Sequence, residues 1–186
     1  APVIFEYERS DGELGFLARH DTDPFNRAEA MQELSLRMLS RLCDAIETGQ
    51  PPEVSAAWQT AFAAMLADEA VAPGLKALAL KLPSEAEVGQ RRAMIDPASI
   101  RAAVQKARET IGRKLAHELA ACAAANVTEG PYSPDAASAG KRSLKNLALD
   151  YWLASNEVKA VLAVRRQFDT ADNLTDQLAA LSMCAN

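Results

Sequence analysis

The chain has 186 residues, 49% apolar and 24% charged, with a formal net charge of −5; this balance supports one well-buried core and excludes a disordered chain. Its basic residues are scattered in short pairs such as Arg91-Arg92, Arg113-Lys114 and Arg165-Arg166, so there is no basic stripe for nucleic acid and no nucleic-acid partner is expected. No run of about 18 apolar residues occurs, and no membrane partner is expected either. Aromatic residues make up only 5% of the chain, and Ala and Leu supply much of the apolar share. That composition favours close-packed helices over sheets, where β-branched and aromatic residues concentrate, and the expected class is all-α.

Residues 1–8, Ala1-Pro2-Val3-Ile4-Phe5-Glu6-Tyr7-Glu8, alternate like a short N-terminal strand. A lone strand leaves its edge groups unpaired, and no second strand pattern follows. The expectation is that 1–8 is the terminal strand of a preceding β-sandwich, with its partners upstream in a longer polypeptide, and that 9–186 is helical.

Ser10 and Glu13 form a capping box and open a short helix. Asp23-Pro24 caps a second, along which Met31, Leu34, Met38, Leu42 and Ile46 recur at intervals of three and four until Gly49-Gln50-Pro51-Pro52 stops the run. Val54, Ala57, Trp58, Ala61, Phe62, Met65 and Leu66 repeat the pattern, so a short link should make these helices an antiparallel hairpin. A shorter helix follows Pro73, with Leu75, Leu78 and Leu82, and Ser84 with Glu87 opens another that must stop or turn at Asp96-Pro97. Asp96 then caps one long helix with Ile100, Val104, Ala107, Ile111, Leu115, Leu119 and Cys122 on the buried face and Arg101, Gln105, Arg108 and Lys114 opposite. After a loop over 126–134, Ser133-Pro134 opens a helix with Leu144, Leu147, Ala148, Tyr151 and Trp152 inward. Two more follow, over about 158–168 and from about Thr170 to the end. A succession of antiparallel helix pairs without a strict sequence period is the pattern of a HEAT-like helical array. No Gly or Pro stops the last helix, so the array is expected to continue past it.

Several strings fall in a recognisable order. Ala1-Pro2-Val3, Tyr7, Ser10-Asp11, Leu14, Phe16-Leu17, His20-Asp21 and Asp23-Pro24-Phe25-Asn26-Arg27-Ala28-Glu29-Ala30 come first. Ile95-Asp96-Pro97, Arg142-Ser143-Leu144-Lys145-Asn146 and the run from Ala171-Asp172-Asn173 through Asp176 to Leu181 follow. In that order they resemble bacterial aminopeptidase N, the zinc alanyl aminopeptidase family of gluzincin metallopeptidases, across the end of its β-sandwich and the first part of its C-terminal helical domain. The resemblance implies a parent that removes N-terminal residues from peptides, using zinc held by His-Glu-x-x-His and a more distant Glu. It also implies that the helical domain walls off the active-site chamber, with the upstream catalytic and β domains of the same polypeptide as partners and peptide as the parent's substrate. From the residues alone, the alternative is a free-standing helical-repeat scaffold that binds a protein partner.

The chemistry expected within this chain is small. His117-Glu118-Leu119-Ala120-Ala121 is the nearest approach to the zinc motif, and Ala121 stands where the second His must face the metal one turn later. The only other histidine is His20. No catalytic, cofactor-binding or metal residue is therefore expected here, and zinc belongs to the parent. Asp21, Asp23 and Asn26 lack the register of a calcium loop. Asp169, Asp172, Asn173 and Asp176 read as acidic residues placed by a helix N-terminus. Asn126-Val127-Thr128 and Asn173-Leu174-Thr175 match a glycosylation sequon that is common by chance. Cys43, Cys122 and Cys184 read as core or near-core free thiols, so the expected location is cytoplasmic.

If Asp96 is a helix cap, Asp96→Ala lowers stability by about 1 kcal/mol, and Asp172→Ala costs less. Urea unfolding midpoints check this, and an unchanged midpoint for the Asp96 variant would count against a helix boundary at Asp96-Pro97.

Overall fold

The structure, a computed structural model, describes residues 9–185. The expected strand over 1–8 lies outside the described residues. Among the described residues the regular structure is helical: α1 (Asp11–His20), α2 (Pro24–Glu47), α3 (Ala56–Ala67), α4 (Pro73–Leu80), α5 (Glu85–Gln90), α6 (Pro97–Lys114), α7 (Ala116–Ala125), α8 (Ala136–Leu153), α9 (Val158–Thr170) and α10 (Leu174–Ala185).

Local chemistry sets most of the helix ends. The Glu13 N–H donates to Ser10 Oγ at 3.2 Å while the Ser10 N–H donates to Glu13 Oε2 at 2.7 Å, and Ser84 with Glu87 repeats the arrangement at α5. Asp23 accepts from the Phe25 N–H, and Asp96 from those of Ala98 and Ser99. At the other end of α2, Gly49 has φ +68° and lets the Gly49 and Gln50 N–H groups return to Ile46 and Ala45. This satisfies carbonyls that would otherwise be orphaned at the helix C-terminus.

Two long helices organise the packing. α2 lies against α1, α3, α4, α5 and α6, and α8 against α4, α6, α7, α9 and α10, so α4 and α6 are shared between them. Trp58 and Phe62 from α3 and Tyr151 from α8 form an aromatic column between these groups, with ring centroids 5.4 and 4.9 Å apart and all three side chains fully buried. Both ends of the column are hydrogen-bonded: Trp58 Nε1 donates to Ser35 Oγ on α2, and Tyr151 Oη donates to the Leu80 carbonyl at the end of α4. Burial pushes the Tyr151 hydroxyl far above its ordinary range, which keeps it a neutral donor.

The structure refines the sequence reading at five places. α3 is antiparallel to α2 but is set against its first half, since Arg27 pairs with Asp68 and Ser35 with Trp58. The second half of α2 is covered instead by the α5–α6 corner, where Arg92 binds Asp44 and Glu47, and Ser99 Oγ donates to Glu47. α4 stops at Leu80 rather than Leu82, because Gln32 Nε2 on α2 and Tyr151 take the carbonyls of its last turn. Leu78 is consequently exposed while Ala77 and Leu80 face inward, and buried Lys76 donates to the Leu66 carbonyl at the end of α3. The expected single helix from Asp96 to Cys122 is broken at Leu115, with φ −118° and ψ 27°, so that α6 and α7 can both lie on α8. α8 begins at Ala136, one residue after Asp135, which accepts from the Ser138 N–H and outcompetes Ser133-Pro134 as the cap.

Glycines set the depth of two helix crossings. A Cβ on Gly140 would stand 2.9 Å from the Gly74 backbone nitrogen, and one on Gly112 2.3 Å from the Tyr151 carbonyl oxygen and 2.9 Å from the Ser155 nitrogen. These neighbours are backbone and cannot step aside. Gly112→Ala and Gly140→Ala should therefore each destabilise by about 1–3 kcal/mol through overpacking, even though Gly→Ala in a helix ordinarily gains about 1 kcal/mol. Gly12→Ala, which would meet only Ser10 Oγ at 3.8 Å, is the control and should be neutral or stabilising. Urea midpoints for the three variants check the sign, and equal effects would refute the close crossings.

Candidate functional site

The residues singled out for possible chemistry fall into separate places. His117 and Glu118 are both exposed on α7. His20 ends α1 with its ring 4.8 Å from that of Phe16. Asp21 and Asp23 are spent on backbone N–H groups at the start of α2. Among the described residues no group of three or more His, Cys, Asp or Glu is placed to hold a metal ion. The sequon asparagines are both engaged: Asn126 donates to the Cys122 carbonyl, and Asn173 bonds Asp172 and Asp176. Cys43 is buried and Cys122 half-buried as expected, but Cys184 is exposed. The buried stripe of α10 runs through Asp176, Ala180 and Met183, and Cys184, about 100° round the helix from Met183, lies at its edge.

Asp176 is the polar residue whose role the sequence hid. It is not simply a first-turn acid near a helix dipole; it is buried, and it receives Lys145 Nζ at 2.6 Å and Asn146 Nδ2 at 2.9 Å, both from α8. Gln167 on α9 donates to Asn146 Oδ1 and to the Asp176 carbonyl, at 2.7 and 3.0 Å. Asn173 closes the circuit by accepting from the Asp176 N–H at 2.9 Å. Burial alone would push the Asp176 carboxyl up. Hydrogen bonds from Lys145, Asn173 and Asn146, together with the Lys145 charge, outweigh it and hold the carboxyl below its ordinary value. Two distant landmark strings, Arg142–Asn146 and Ala171–Leu181, thus meet in one network that fastens α9 and α10 to α8.

A groove of about 700 Å³ lies between α4, the link into α5, α6 and α8. Leu78, Leu82, Val104 and Leu147 give it an apolar wall, and Lys81, Glu85, Arg108 and Asp150 supply its charged groups. Arg108, expected on the solvent face of its helix, instead turns to α8 and donates through Nη2 to Asp150 Oδ1, while its Nε is buried without a partner. Burial pushes the Asp150 carboxyl up, and Arg108 only partly offsets this. The Tyr151 hydroxyl is already committed to Leu80. The groove therefore offers hydrogen bonding, charge and apolar surface, which is the equipment of a binding site.

Comparison with known proteins places the whole chain in one context. Residues 11–186 match the family model described as "Domain of unknown function (DUF3458_C) ARM repeats". The chain is similar to aminopeptidase N of Escherichia coli (strain K12), 36% identical over 98% of this chain and 21% of that protein. It is also similar to aminopeptidase N of Caulobacter vibrioides, 31% identical over 97% of this chain and 21% of that protein. Among solved structures it is similar to Legionella pneumophila aminopeptidase A, crystallised in complex with aspartic acid: TM-score 0.81, 26% identity, 100% of this chain and 22% of that one. The chain thus spans about one fifth of the length of these relatives. Its likeness is to a C-terminal helical domain of aminopeptidase N-like proteins.

The Asp176 network generates two expectations. Asp176→Ala leaves Lys145 charged, buried and unpaired, and should cost about 3–5 kcal/mol, whereas exposed Asp172→Ala should stay within about 0.5 kcal/mol. Because the folded-state pKa of Asp176 is depressed, its contribution is fully present above the unfolded value of about 3.9. It is lost as pH falls through the lower folded value. Urea midpoints from pH 7 down to about pH 2 should converge for wild type and Asp176→Asn at the acid end, and a constant gap between them would refute the assignment.

Proposed function

The chain belongs to the DUF3458_C family of helical-repeat domains, and on that premise we propose that it is a non-catalytic part of a zinc-dependent aminopeptidase that removes N-terminal residues from peptides. In this reading the helical array packs against the catalytic and β domains of the same polypeptide and closes one side of the active-site chamber. A rigid wall of this kind limits substrates to chains that can enter and restricts bulk water around the reacting bond.

The observation that carries the reading is the similarity of 97–98% of the chain to aminopeptidase N relatives, over about one fifth of their length. The close packing around α8 supports it. Glycine crossings, the aromatic column and buried ion pairs give α8 few ways to yield, as a chamber wall requires. A cytoplasmic location is the reading supported by three unpaired cysteines.

The test is complementation. The purified chain, assayed with and without added zinc, should release no amino acid from peptide substrates. Mixed with the separately expressed remainder of the parent polypeptide, it should bind and should lower cleavage of long peptides relative to dipeptides. Chelator-sensitive hydrolysis by the chain alone, or association with no change in size selectivity, would overturn the reading; failure to associate would favour the free-standing scaffold.

A further inference from the structure

We propose that the groove between α4, α6 and α8 is a binding site for a short zwitterionic peptide bearing an apolar side chain, its ammonium on Asp150 and its carboxylate on Lys81. The proposal stands on the geometry of the groove and is independent of the chamber-wall role.

The first observation is charge. Lys81 and Arg108 face Glu85 and Asp150 in one concavity, so the lining carries as many positive as negative groups. A ligand of one sign gains from one pair and is repelled by the other, whereas a zwitterion can answer both signs at once. Lys81 is exposed at the rim and makes no salt bridge among the described residues, although its charge reaches Glu87.

The second is unused acceptor capacity at the floor. An ionised carboxylate has about four acceptor positions, yet Asp150 receives one side-chain donor, Arg108 Nη2, and its side chain is 33% exposed. Its remaining acceptor positions therefore open to the groove, where a second cationic donor, the ammonium of a peptide N-terminus, takes them.

The third is shape and apolarity. A volume of about 700 Å³ lies within the range of small-molecule sites, roughly 300–1,000 Å³, and exceeds what a single ion would fill. Leu82 and Val104 give an apolar wall between the charged groups, where a ligand's aliphatic side chain loses water. The floor is stiff, because Tyr151 and Gln32 fix the carbonyls of the last turn of α4. Little ordering is then needed on binding.

The experiment uses the 186-residue chain and three probes: the dipeptide leucyl-leucine, its N-acetyl form without the ammonium, and its C-terminal amide without the carboxylate. Titration followed by amide NMR and calorimetry should show the free dipeptide binding with Kd of about 1 mM or below, with shifts centred on Leu82, Val104 and Asn146. Acetylation and amidation should each weaken binding about tenfold, the worth of one charge-assisted hydrogen bond. In Asp150→Asn the acetylated and free forms should bind alike, and in Lys81→Met the amidated and free forms should. Absence of binding at about 10 mM, equal affinity of the three probes for the wild-type chain, or shifts that map outside the groove would each overturn the proposal. The probe comparison requires no variant to fold.

Discussion

The structure depends on how closely α8 can be approached. At its first turns Gly140 meets Gly74 of α4 backbone to backbone, and at its last turn Gly112 brings α6 against the Tyr151 carbonyl and the Ser155 nitrogen. Without side chains at these crossings the helices come closer than ordinary packing allows, and backbone neighbours cannot rotate away to accommodate a substituent. Since α4 and α6 also contact α2, fixing their depth on α8 fixes the spacing of the two long helices. The aromatic column of Trp58, Phe62 and Tyr151 fills the interval so defined. The groove lies where α4 ends and α6 and α8 diverge from it.

Apart from Ser35, which takes the Trp58 indole N–H within the core, the buried polar groups named here act on helix ends. Arg27 donates to the Ala18 carbonyl near the end of α1 and pairs with Asp68 at the end of α3, while Lys76 takes the Leu66 carbonyl. Gln32 and Tyr151 serve the end of α4, and the Lys145–Asp176 pair holds the first turn of α10. Each group satisfies carbonyls or charges that the helix leaves unmet and joins elements far apart in sequence. Such bonds contribute modestly when made and cost much more when one partner is lost. Their effect is to select one arrangement of helices among the many that an Ala- and Leu-rich surface would tolerate.

The proposed wall and the proposed binding site make different demands, and different places in this fold answer them. The crossings on α8 are rigid and closed, as a chamber boundary needs. The groove is concave and carries an ion pair whose hydrogen-bonding capacity is not used up, which leaves it free to take a small ligand without moving the elements that form it.

Much of the helical layout was legible in the sequence. Ser10 with Glu13, Asp23-Pro24, Ser84 with Glu87 and Asp96-Pro97 act within one turn of the chain, so their caps follow from spacing alone, as does the buried stripe of α2. The landmark strings marked the related family, because order along the chain is itself sequence information. What tertiary structure decided were outcomes set by partners distant in the chain. The break at Leu115 lets α6 and α7 share α8, and the end of α4 at Leu80 follows from Gln32 and Tyr151. Arg108 turned from solvent because Asp150 lies opposite, and Asp176 changed from a surface acid to a buried hub because Lys145 and Asn146 converge on it. Local periodicity records which side of a helix avoids water; it holds no record of which charged group will stand across the interface, since that depends on the close approach of backbones that the glycines permit.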